Sequence, residues 1–428
     1  MNRRFLLILL AAAPLWLAAQ PYAGGQRGSQ RFAQTTVGFD VQYAPRSGQS
    51  AWLDAGAAQP FALPGMITPR ILISGLHFWG HADFYLAFPL ASLRTGAVPV
   101  RYRYSSGVET GARFFPWPVT AGKIRPFAGV SMNGTDFRQW DRSGAPGAWA
   151  SRVDAPVQGG LLFATGRHLV DLSVRYHYRN TASYHLSRSQ AAEIRTPAWF
   201  VQLGVRKYFE TTLSAEPGNL SGHYRRLEAA MGRSLSNVSL GLGMSSAFFL
   251  RQSPWLAAEA PWMSSRLRPA VFPELGLGYY FHGPDAHLNL ALRRMRVKEE
   301  AYGFSREAGR SSAALEAYKF LGNYHGFAPF LGASLSLEGW RYRSEDEGQP
   351  MQDVQRSALR PGLTFGWDIR PTPVNSILLR TNLRWYPSLN LDITDGQPVA
   401  LSQIEFNFIQ VVWYPGRTAK VQRAERGM

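Results

Sequence analysis

The chain has 428 residues, 13% of them aromatic, 41 glycines, no cysteine and a formal net charge of +17. Without cysteine it can hold no disulfide, no thiolate metal site and no acylated cysteine anchor. Beyond the first twenty residues no apolar run approaches the roughly 18 residues of a membrane helix, which excludes a helical membrane protein.

The N-terminus reads as an export signal. Arg3 and Arg4 form a positive region, Phe5 to Leu17 an apolar run of signal length, and Ala18 and Ala19 a small-residue cleavage site before Gln20. Residues 1–19 are therefore expected to be a signal peptide for the general secretory route, and 20–32 an N-terminal extension.

From there the chain alternates with period two, the mark of a strand with one face in lipid. Between 169 and 179, Val170, Leu172, Val174, Tyr176 and Tyr178 share one face, and Asp171, Ser173, Arg175, His177 and Arg179 the other. Trp199, Val201, Leu203 and Val205 alternate with Phe200, Gln202, Gly204 and Arg206, and Phe84, Leu86, Phe88 and Leu90 with Asp83, Tyr85 and Ala87. Such runs give eight strands near 33–44, 68–78, 81–90, 102–115, 125–134, 156–165, 168–179 and 197–209. Eight more lie near 237–250, 271–281, 286–297, 311–321, 327–338, 358–369, 375–386 and 402–414. Short connections alternate with long ones at 45–67, 91–101, 135–155, 180–196, 251–270, 298–310, 339–357 and 387–401. Short periplasmic turns and long outer loops in strict turn suit a transmembrane antiparallel up-and-down β-barrel. A soluble sandwich shares the one-sided apolar pattern but not the alternation of loop lengths.

The chain also repeats itself. Arg125-Pro126-Phe127-Ala128-Gly129-Val130-Ser131 is echoed by Ala328-Pro329-Phe330-Leu331-Gly332-Ala333-Ser334. Phe200-Val201-Gln202-Leu203 returns as Phe408-Ile409-Gln410-Val411, and Leu172-Ser173-Val174-Arg175-Tyr176 as Thr381-Asn382-Leu383-Arg384-Trp385. The echoes are collinear, so the sixteen strands form two homologous eight-stranded halves, 33–209 and 237–414. Residues 210–236 read as a periplasmic linker with a short helix or an additional strand, and 415–428 as a basic C-terminal tail. A linker this long slightly favours two tandem barrels over one sixteen-stranded barrel.

The strand Gly107 to Phe115, a short turn, then Arg125-Pro126-Phe127-Ala128-Gly129-Val130 resembles the OmpA/OmpX-type outer-membrane β-barrel family, in each half in turn. That resemblance implies location in the cell outer membrane. Gln202-x-Gly204 leading to Tyr208 and Phe209 resembles the terminal-strand signal read by the barrel-assembly machinery, although it sits mid-chain; the actual C-terminus continues past Trp413-Tyr414 into Pro415 and basic residues.

Rim enzymes in such barrels need a histidine with an acid or serine at an accessible edge. The candidates are His185 with Ser187 in an outer loop, His77, His81 and Asp83 around a periplasmic turn, and His282 with Asp285 at the equivalent turn of the second half. Solvated loops or structural hydrogen bonds account for each, so no catalytic, cofactor or metal residue is assigned. Glu109, Arg113, Asp171, Arg175 and Arg206, with Glu274, Arg293, Glu316, Arg380 and Arg384, face inward. In an eight-stranded barrel they should pair and fill the interior with Phe200, Tyr280, Tyr318 and Phe330; in a sixteen-stranded one they would line a pore. Trp79, Trp117, Trp199, Trp367, Trp385 and Trp413 fall near strand ends as interfacial anchors. Trp52, Trp140, Trp149, Trp255, Trp262 and Trp340 lie in or beside outer loops, with Arg138, Arg142 and Arg152 flanking two of them, and either pack within the loops or meet a glycan, lipid or partner. The basic excess is nearly all arginine and either attracts lipopolysaccharide phosphates or reflects codon usage; no nucleic-acid motif accompanies it. The expected role is a structural or surface-interaction barrel, the alternatives a porin-like channel or a rim-located lipid A-modifying or hydrolytic enzyme.

Overall fold

The computed structural model describes residues 33–427, except 46–47, 95, 97, 166–167, 209–219, 324–326, 371–373, 388 and 395–396. The expected signal peptide 1–19, the extension 20–32, the turn at 166–167 and Phe209 lie outside the described residues.

Alternation builds two closed barrels. The first consists of β1 (Ala33–Ala44), β2 (Met66–His77), β3 (Ala82–Pro89), β4 (Tyr102–Phe114), β5 (Ile124–Gln139), β6 (Val157–Ala164), β7 (His168–Tyr176) and β8 (Trp199–Tyr208). It closes because β1 pairs with both β2 and β8, placing Gly38 opposite Leu72 on one side and Arg206 on the other. The second consists of β9 (Asn237–Phe249), β10 (Ala270–Phe281), β11 (Ala286–Ala301), β12 (Phe304–Phe320), β13 (Phe327–Asp346), β14 (Gln349–Ile369), β15 (Ile377–Tyr386) and β16 (Gln403–Trp413), with β9 and β16 paired. All sixteen strands overlap the segments that period two placed, and four of them in the second barrel run on beyond those segments. The echoed segments occupy the same strand of each barrel: Phe127 and Phe330 are inward on the fifth, Arg175 and Arg384 on the seventh, Gln202 and Gln410 on the eighth.

Burial is inverted relative to a soluble protein. Leu172, Val174, Leu203 and Val205 are exposed, whereas Asp171, Arg175, Gln202 and Arg206 are buried. An exterior of this kind is stable only against lipid. Val174→Arg and Leu203→Arg should each cost about 2–4 kcal/mol near mid-bilayer, read as a drop in urea midpoint of the refolded protein. Cysteines at 175 and 202 labelled by a lipid-soluble probe that spares cysteines at 174 and 203 would mean that the register is slipped by one.

The outer connections differ from expectation in one respect. Residues 298–310 and 339–357, expected as loops, are mostly strand: β11 and β12 meet at Tyr302-Gly303, and β13 and β14 at Glu347-Gly348, with positive φ at both turn residues. Positive φ at both central positions is the two-residue turn that matches strand twist. Above the membrane both strand faces turn polar, so the backbone ladder continues after the apolar signal ends. Hairpins also form inside the expected loops, at Gly48–Asp54 with Ala57–Leu63 and at Thr181–His185 with Ala191–Arg195.

Among the described residues of the linker, from 220 onward, the chain is helical and holds no strand before β9. Helix α1 (Leu220–Met231) packs on the C-terminal helix α3 (Arg417–Gly427), burying Leu227, Met231 and Leu235 against Val374, Val421 and Ala424. Arg417 donates to the carbonyls of Leu235 and Asn375 and lies over the Tyr414 ring. A further short helix, α2 (Pro254–Glu259), sits over the outer end of the second barrel and buries Leu256.

Candidate functional site

Each lumen is a stack of three layers. In the first, Phe61, Leu63, Tyr102, Phe137, Tyr184 and Ile194 close the outer end, and Leu76, Phe115, Phe127, Leu162 and Leu169 the periplasmic end. Between them four arginines meet four carboxylates. Arg70 donates to Asp40 at 2.7 Å and to Glu109 at 2.8 Å, and Arg175 also binds Glu109. Arg206 reaches Asp83 at 2.6 Å, and Arg113 lies 3.5 Å from Asp83 and 3.4 Å from Asp171.

The second lumen repeats the scheme. Phe249, Leu256, Leu267, Phe272 and Tyr342 close it outside, and Tyr280, Tyr318, Phe320, Phe330 and Tyr414 below. Arg384 donates to Glu274 at 2.6 Å and ion-pairs with Glu316 at 2.7 Å, and Arg293 donates to Glu274 at 2.9 Å. Arg380 pairs with Asp368, Arg360 and Arg310 with Glu338, Arg310 also with Glu405, and Arg306 with Glu299. Six arginines thus face six carboxylates. An ion shielded from water on both sides must be neutralised by a partner, and the counts balance in both barrels. All ten inward charges named from the sequence take part, and Phe200, Tyr280, Tyr318 and Phe330 are buried beside them.

An apolar exterior, eight-strand closure and a lumen filled by paired charges define the fold. The chain is a tandem pair of transmembrane eight-stranded antiparallel β-barrels. No family model and no curated protein matches the sequence of this tandem barrel. Among solved structures it is similar to Neisserial surface protein A, at 17% identity and TM-score 0.27, over 42% of this chain and 97% of that one. It is similar also to Ail, the attachment invasion locus protein of Yersinia pestis, at 12% identity and TM-score 0.26, over 42% and 96%. A third is the COG4313 outer membrane channel from Pseudomonas putida F1, at 8% identity and TM-score 0.23, over 92% and 99%.

The histidine candidates of the tandem barrel are not brought together with partners suited to catalysis. Asp83 belongs to the lumen network, His81 Nδ1 lies 3.0 Å from the Phe115 carbonyl, and His77 packs edge-on against Phe84. Asp285 binds Arg370 and accepts from Tyr280, a structural role at its turn. His185 offers its backbone carbonyl to Tyr302, while the Ser187 hydroxyl accepts from the Gln190 amide within its own turn. Among the described residues no group of three or more His, Asp or Glu is placed to hold a metal ion.

What the sequence did not reveal is that the loops join the two barrels. Trp149 of the first lies between two guanidinium groups, Arg138 of the first at 5.0 Å and Arg268 of the second at 4.3 Å. Arg188 of the first stacks on Trp262 of the second and ion-pairs with Asp346. Tyr302 donates to the His185 carbonyl at 2.6 Å, and burial pushes its hydroxyl up to about 12, so it remains a neutral donor. Below, Phe84 of the first barrel approaches Trp367 of the second at 6.4 Å, and His77 approaches Phe327 at 5.5 Å. The barrels therefore stand side by side with like ends level. The loop tryptophans expected either to pack internally or to await a partner are used for packing: Trp52 lies beneath Arg142, Trp140 beside Arg101, and Trp340 is buried on β13.

Hydrogen bonds from Arg188 hold Asp346 below the usual carboxylate range. A carboxylate depressed in the folded state contributes fully above its unfolded pKa, about 3.9, and loses that contribution as pH falls through its lower folded value. Both side chains are about a third exposed, so the pair is worth at most about 1 kcal/mol. Spin labels on the two outer faces should therefore show a fixed separation at neutral pH that broadens only below about pH 4, and Asp346→Asn should broaden it at every pH. A distribution unchanged by both would show that this pair does not hold the loops together.

Proposed function

We propose that the protein is a non-conducting tandem barrel that presents a braced loop surface outside the cell, in a structural or surface-interaction role. The observation that carries this reading is the neutral ion-pair layer of each lumen, sealed between apolar layers at both ends. A permeating ion would have to break several buried pairs and cross two dry layers, with no water to replace what it gives up. The joined loops support the second half of the reading, since cross-barrel stacking ties outer connections of the two barrels into one surface. Catalysis finds no support in the scattered histidines.

Full-length protein reconstituted in a planar bilayer should show no stable ohmic step above background in molar salt. Reproducible large steps would favour the porin reading. Replacing Arg293 and Arg384 with alanine would then separate a true lumen path, whose conductance rises, from leakage around the barrels, which is unchanged.

A further inference from the structure

Because the charges of the two lumen ion-pair layers cancel, the positive excess of the described residues lies outside those layers, and one place collects it at the membrane boundary. Ascending the exterior of β11, Leu288, Leu290 and Leu292 give way to Arg294 and Arg296; ascending β13, Leu335 and Leu337 give way to Gly339, Arg341 and Arg343. The strand between them, β12, presents Gly309, Ser311 and Ala313 outward. Register aligns Arg294 with Ser311 and Gly339, and Arg296 with Gly309 and Arg341. Arginines of β11 and β13 thus face one another across two strand spacings, roughly 10 Å, over a floor almost without side chains.

The result is a groove of about 630 Å³ on the outside of the second barrel, floored by Ser311, Ala313 and Gly339, with Leu275, Leu292 and Leu337 on its apolar flank. Gly309 and Gly339 have ordinary backbone angles, and a Cβ on Gly309 would meet nothing within 4 Å, on Gly339 only a carbonyl at 4.0 Å. Neither turn geometry nor packing requires glycine there, and the lack of side chains at both positions leaves the space between the flanking arginines open. At its rim Arg296 is held by Glu307, and Arg341 and Arg343 share Asp353. Arg294 has no hydrogen-bond or ion-pair partner among the described residues, so four guanidinium groups face two carboxylates.

We propose that this groove binds a phosphorylated lipid of the outer leaflet. A headgroup phosphate sits between Arg294 and Arg341, where guanidinium forks match its oxygens, and an acyl chain runs down over Ala313 toward Leu275 and Leu337. The apolar groove selects a lipid over a soluble phosphate, and the unpaired Arg294 selects an anionic lipid over a zwitterionic one. The proposal rests on the membrane placement of the barrel and is independent of whether the lumens conduct.

The test is native mass spectrometry of the full-length protein, released from nanodiscs of phosphatidylcholine doped with diphosphoryl lipid A. One lipid A should remain bound to the wild-type protein. Arg294→Ser with Arg341→Ser should reduce retention at least tenfold, and Gly309→Leu with Gly339→Leu should reduce it similarly with no change of charge. Heat-modifiable migration unchanged in both variants would show that the barrels still fold. Equal retention by wild type and both variants, or equal retention of lipid A stripped of phosphate, would overturn the proposal. Loss in the arginine variant alone would overturn the acyl-chain part and leave a surface attraction for phosphate.

Discussion

Glu274→Ala should destabilise the second barrel by about 3–5 kcal/mol, the range for removing one partner of a buried ion pair. Glu274 is fully buried and accepts from Arg384 through both carboxylate oxygens, at 2.8 and 2.6 Å, from Arg293 at 2.9 Å and from Ser245 at 3.1 Å. Removing it leaves two arginines to share Glu316 and Glu405, with one uncompensated positive charge between apolar layers. Pairing it with Arg384→Ala restores neutrality, so the double variant should cost clearly less than the sum of the two single ones. Urea unfolding in detergent or bilayers, followed by tryptophan fluorescence, measures both. A single variant within about 1 kcal/mol of wild type would mean that water reaches Glu274, and the closed-lumen reading would fall with it.

The fold was legible because lipid imposes a strict rule on each strand separately. Every second side chain from Leu172 to Tyr176, or from Trp199 to Val205, must tolerate hydrocarbon, so facing could be assigned with no knowledge of the neighbours. The rule lapses at the membrane surface. Arg294, Arg296 and Lys298 still point outward on β11 and Glu299 still points inward, but both faces are now charged and the apolar period disappears. The extensions of β11 through β14 therefore read as loops in the sequence. Their turns, Tyr302-Gly303 and Glu347-Gly348, were the surviving signal.

The interior was legible as a set of residues and not as a network. Inward parity identified Glu109, Arg175, Glu274 and Arg384, yet Glu274 meets Arg384 across 110 positions and Arg70 meets Gln202 across 132. Closure of the barrel makes those pairs, and no local pattern encodes it. The groove was hidden for a similar reason. Gly309 and Gly339 look like unremarkable strand residues until register sets them on a diagonal of adjacent strands between arginines. Contacts between the barrels, such as Arg268 on Trp149, belong to neither repeat alone and could not be read from either.

Expressed separately, each half should fold into its own barrel. Strand β1 pairs along its length with β2 and with β8 as far as Tyr208, so the first half leaves no unpaired edge, which a bilayer would not tolerate. Its ion pairs are self-contained: Arg70, Arg113, Arg175 and Arg206 find every carboxylate partner between Asp40 and Asp171. The same holds for the lumen of the second half, which needs in addition the helix contacts of Leu227, Met231 and Leu235 and is best begun near residue 220. Joining the halves adds a few ring contacts and partly exposed hydrogen bonds at the rims, too little to decide whether either closes. Residues 20–212 and 220–428, refolded apart, should each insert into bilayers and migrate faster in gels before boiling than after. Failure of both halves under conditions where the full chain folds, together with large ohmic conductance from that chain, would mean that the sixteen strands make one wide barrel and that the buried arginines line water.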